Sequence, residues 1–142
     1  MLKWFLPLIT GYVVTNMIAT TLAIGILQPF VSGMFGSFIR TDADGLAFVP
    51  LLAGYLVITV VLVWLVPRVR SGCSGWLHGA VVGLALGAAV FLGDHLVTAG
   101  WSKIPELPMF LSGLIDSLAV MTGGIVIAVV QQWQTTGKVT RI

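Results

Sequence analysis

Charge is what this sequence has least of. Of its 142 residues only 8% are charged, against about 25% in an ordinary soluble domain. A chain that is also 58% hydrophobic cannot cover its surface against water. Seven basic and five acidic residues leave a net charge of +2. The basic residues are scattered, so they make no nucleic-acid footprint. Cysteine is almost missing. Cys73 stands alone, which excludes an intrachain disulfide, a redox C-x-x-C pair and a cysteine-built metal site. Proline is kept out of the middle of the long apolar runs, which argues against broken helices of the transporter kind.

What is present is long apolar runs. Four of them come near the ~20 residues that a membrane helix needs, at residues 4–27, 46–66, 76–97 and 109–130. The first follows Lys3 in the way a signal peptide would, but it continues past a typical h-region and shows no small-x-small cleavage site. It is read as a retained span. Pro7 and Pro50 fall in first turns, Pro29 and Pro67 just past helix ends, and Pro105 and Pro108 before the fourth span. The expected fold is an all-α integral membrane protein, a single four-transmembrane-helix bundle over residues 1–142. Lys3, Arg68, Arg70, Lys138 and Arg141 share one side, and Arg40 and Lys103 the other. That bias places both termini in the cytoplasm.

The first outer loop has its own pattern. Phe30, Val31, Met34, Phe35, Phe38 and Ile39 recur at helical spacing, with Ser32, Gly33, Gly36, Ser37 and Arg40 opposite. This predicts a short amphipathic helix in the interface. The TDADG stretch after it reads as a solvated turn, because Asp42 and Asp44 lack the remaining ligands of a calcium loop. The inner loop before Gly75 is short, so the second and third spans should be antiparallel neighbours. The residues from Gln134 onward read as a polar tail.

The third span organises the rest. Gly75, Gly79, Gly83 and Gly87 recur every fourth residue and make a strip that lets a second backbone come close. In the fourth span Ser112, Asp116, Ala119 and Gly123 make a second small stripe. The two stripes are expected to pack together. Asp94, seven residues after Gly87, then falls on the same face and approaches Asp116. Asn16, Tyr55, Asp94, His95 and Asp116 form the expected intramembrane polar cluster, either a proton or cation relay or a set of interhelical hydrogen bonds.

Other chemistry is thin. His78 and His95 are 17 residues apart on one helix, about 25 Å at helical rise, too far to share a metal within one chain. No metal site and no cofactor is predicted. Ser32, Ser112 and Ser117 lack a G-x-S-x-G setting, and no nucleophile and base can be paired.

From Leu46 onward the pattern resembles small bacterial membrane proteins of four spans, families of unknown function. Gly93-Asp94-His95-Leu96, then Gly100-Trp101, then Asp116 inside the fourth span carry the resemblance. It implies the architecture and leaves the activity open. The first functional expectation is a non-catalytic subunit or accessory protein, partnered by the bilayer and by other membrane subunits or itself. The alternative is a small oligomeric proton- or cation-linked transporter using Asp94 and Asp116.

Overall fold

The computed structural model describes residues 2–35 and 47–139. Among these the chain is helical, without a strand. Helix α1 covers residues 2–35, α-helical over Leu2–Leu22 and Gln28–Phe35 with a π turn at Ala23–Leu27 between them. Helix α2 is Phe48–Leu65. Helix α3 runs over Gly75–Trp101 with a π turn at Ala88–Leu92. Helix α4 is Glu106–Val139. All four are long and apolar enough to cross a membrane, so this is a multi-pass membrane protein.

Several boundaries differ from those expected. The first helix does not stop at Leu27. The segment Gln28–Phe35 prolongs it through residues in ordinary right-handed helical conformation. Pro29 therefore lies within a helix and not past its end. Its ring would press on the carbonyl four residues back and it offers no N–H. The wider turn at Ala23–Leu27, in which the Gln28 N–H reaches back to the Ala23 carbonyl, falls where that misfit arises. The rest of the expected interfacial helix and the TDADG turn lie outside the described residues. Pro108 falls in the first turn of α4. The expected polar tail is still helical as far as Val139.

Helix α4 is the central element. Of its apolar window 44% is buried, against 17–22% for the other three spans. It packs along both α3 and α1, while α2 leans on α1 and α4. Leu62, Val63 and Val66 of α2 and its end meet Val82 of α3 and Val120, Ile127 and Ala128 of α4 in the main core.

The α3–α4 seam is a run of backbone contacts. A Cβ placed on Gly79 would strike the Gly124 carbonyl oxygen. One on Gly83 would come within 2.7 Å of the Val120 oxygen, and one on Gly87 within 2.8 Å of the Ser117 Cα. A Cβ on Gly113 would come within 2.8 Å of the Leu92 Cα. The face of α4 turned to α3 is therefore Gly113, Ser117, Val120 and Gly124. The stripe expected there sits one residue round the helix. Asp116 reaches Tyr55 of α2, Ala119 packs with Ala19 and Tyr55, and Gly123 lies against Thr15 of α1. Ser112 bonds its own helix at the Pro108 carbonyl. Helix α4 carries two neighbouring small faces, and the glycines of α3 take the one that has glycine at both ends, since backbone contact needs small residues on both partners.

Gly75 is not in the seam. It opens α3 at φ +58° and Gly72 sits before it at φ +75°. Residues with a side chain are strained in that region, so these two glycines make the tight turn between α2 and α3.

Candidate functional site

The interior polar groups do not gather as one cluster. Tyr55 of α2 is buried, and its hydroxyl donates to Oδ1 of Asp116 at 2.7 Å. Asp116 is ten residues into α4, about 15 Å along its axis. The Phe91 ring of α3 lies beside the Tyr55 ring, with centroids 5.8 Å apart. His95 follows one turn later, its ring 6.4 Å from that of Phe91. The His95 Nδ1 is 2.7 Å from the Phe91 carbonyl oxygen. A carbonyl only accepts, so Nδ1 carries the hydrogen. Tyr55, Asp116 and His95, with Phe91 as the wall between two of them, are the candidate site.

Asp94 is not part of it. Its side chain is exposed, while the Asp116 carboxylate is bonded to Tyr55. The cause is the π turn at Ala88–Leu92, where the Gly93 N–H reaches back to the Ala88 carbonyl. An α-helix turns about 100° per residue, so seven residues after Gly87 would return almost to the strip. The π turn spends one extra residue. Asp94 then falls about 120° away, and His95 takes the position that plain spacing gives to Asp94.

Asn16 is also apart. Its Nδ2 donates to the Tyr12 carbonyl of its own helix at 2.8 Å. It lines a cleft between α1 and the start of α2, with Met17, Thr20, Phe48 and Leu52. Other buried hydroxyls turn back on their own helices. Thr59 donates to the Tyr55 carbonyl and Ser117 to the Gly113 carbonyl. Thr15 differs: its Oγ1 is buried against Gly123 without a hydrogen-bond partner.

One polar arrangement was not foreseen in the sequence. His78 fastens the turn between α2 and α3. Its Nε2 is 2.6 Å from the Val66 carbonyl oxygen, so Nε2–H donates, and Nδ1 is 2.7 Å from the Ser71 hydroxyl. The only sequence signal was a histidine three residues after the glycine that opens the helix.

Among the described residues no three of His, Cys, Asp and Glu come together as a metal-binding group. What the candidate site offers chemically is a phenol donating to a carboxylate, with an imidazole on the far side of the Phe91 ring. No family model matches the chain, and neither the curated proteins nor the solved structures contain a match.

Proposed function

We propose that this chain is a non-catalytic subunit or accessory protein of a larger bacterial inner-membrane complex, with both termini cytoplasmic. The observation that supports this reading is the setting of Asp94. It lies seven residues before Trp101, where α3 ends, about 10 Å inside the helix. Its side chain is exposed, and so are Val90, Leu96, Val97 and Trp101 on the same stretch. A carboxylate facing hydrocarbon costs ~2.5–3.5 kcal/mol at mid-membrane. A partner helix that offers a cation or a hydrogen-bond donor removes that cost. The test is native mass spectrometry after gentle extraction from the source membrane. A heteromeric mass that Asp94→Asn weakens supports the reading. A monomer or homo-oligomer, in wild type and variant alike, defeats it.

A second reading rests on the other observation, the contact between Tyr55 and Asp116 beside His95. It is a proton- or cation-linked transporter with Asp116 as the titrating group and His95 where Asp94 was expected. Its test is flux into proteoliposomes. An Asp116→Asn variant that carries protons or solute as well as wild type ends it.

A further inference from the structure

The end of the bundle away from Asp94 is basic and holds its cations in place. The Arg68 guanidinium lies between two indoles, 4.7 Å from the Trp64 ring centroid and 5.9 Å from that of Trp4. One of its nitrogens, Nη1, donates to the Trp64 carbonyl at 2.8 Å. A guanidinium has five N–H donors, so most of them stay free. Trp4 also walls a cleft, together with Lys3, Pro67, Gln131, Gln134 and Thr135. The cleft sits where the start of α1, the end of α2 and the last turns of α4 meet. Lys3 is exposed on its rim. Gln131 is tied down by Nε2, which donates to the Val63 carbonyl at 3.2 Å. Among the described acids, Asp94 and Glu106 are at the opposite end and Asp116 is bonded to Tyr55. Nothing negative among the described residues neutralises Lys3, Arg68 or Arg70.

We infer that this cleft binds the phosphate headgroup of an anionic phospholipid, with Lys3 of its lining and Arg68, which lies over its Trp4 wall, as the cationic contacts. Lys3, amide and hydroxyl groups and the Trp4 indole line the cleft where the apolar spans end, and Arg68 lies over that same indole. Indoles favour that depth, and a guanidinium fork suits phosphate oxygens in pairs. A lipid is the fitting source because the lining comes from the ends of apolar spans whose side chains are exposed, Trp4 of the cleft itself among them. The inference stands apart from the partner and transport readings, since it uses neither Asp94 nor Asp116.

The test uses the full chain reconstituted in vesicles of equal phosphatidylglycerol and phosphatidylcholine, followed by native mass spectrometry of the retained lipid. Retained phosphatidylglycerol should exceed phosphatidylcholine in the wild-type protein. The preference should fall about fivefold for each cation removed in Lys3→Gln and Arg68→Gln. Lys103→Gln, at the other end, should leave it unchanged. Arg68→Lys keeps the charge without the fork and should fall between wild type and Arg68→Gln. Equal retention of the two lipids by wild type overturns the inference, with no variant needed. So does a preference that Lys3→Gln and Arg68→Gln leave intact, or adducts of inorganic phosphate without any lipid mass.

Discussion

The Tyr55 hydroxyl donates to Oδ1 of Asp116 at 2.7 Å, joining two helices across 61 positions of sequence. The bond links α2 to the central helix, where Tyr55 would otherwise be buried with an unpaired hydroxyl. Tyr55→Phe should therefore loosen the bundle by about 0.6–2 kcal/mol, the range for hydrogen bonds between membrane helices. Asp116→Asn keeps an acceptor at the same place and should cost less. Unfolding in detergent, followed by circular dichroism, measures both. Equal losses would show that the carboxylate charge matters more than the bond.

The close approach of α3 to α4 gives glycine substitutions opposite signs. Gly83→Ala puts a Cβ within 2.7 Å of the Val120 carbonyl oxygen, a backbone atom that cannot swing aside. It should destabilise by about 1–3 kcal/mol, as overpacking does. Gly54 has nothing within 4 Å of its added Cβ. Gly54→Ala should stabilise by about 0.5–1 kcal/mol through helix propensity alone. The same unfolding assay distinguishes them, and a matching pair of effects would contradict the seam.

Gly123 and Thr15 make a sharper case for the α1–α4 register. A Cβ at Gly123 collides with Thr15 Oγ1 but stays 3.4 Å from the Thr15 Cβ, an ordinary contact. Gly123→Ala alone should destabilise. Adding Thr15→Ala should recover most of that loss, because it removes the colliding oxygen, which is buried without a partner in any case. The double-mutant cycle should show coupling of at least about 0.5 kcal/mol. Additive effects would mean that the two residues do not touch.

The π turn in α3 has a directional consequence. In the purified chain reconstituted alone, a photoactivated carbene reagent dissolved in the bilayer should label residue 94 heavily and residue 95 lightly, since Asp94 is exposed and His95 half-buried. Deleting Ala89 should remove the extra residue and turn the following segment by about 100°. The order of labelling should then reverse. An unchanged order after the deletion would show that the turn does not set the register.

His78 offers a test at the other end. His78→Phe fills similar space but loses both bonds, to Val66 and to Ser71. Amide exchange should rise severalfold in the turn around Gly72 and stay unchanged near Asp116.

The spans were legible in the sequence because hydropathy and length alone satisfy the membrane's demand for internally bonded backbone. Gly79, Gly83 and Gly87 were legible as one face because their spacing is regular up to Gly87. The partner face was not. Two small stripes lie side by side on α4, at Asp116, Ala119 and Gly123 and at Gly113, Ser117, Val120 and Gly124. Composition ranks neither first. Which one meets α3 depends on where α1 and α2 bring Thr15 and Tyr55.

The sequence by itself determined that this chain is a helical, membrane-spanning protein, that its third span has a face of glycines, and that its interior holds few ionisable groups. Only the tertiary structure decided which of those groups meet. A carboxylate at Asp94 and an imidazole at His95 are neighbours in sequence, and ideal helical geometry puts Asp94 on the seam. One residue spent in a π turn between Gly87 and Gly93 reverses that choice. Periodicity assumes an unbroken α-helix, so it could not reveal that extra residue.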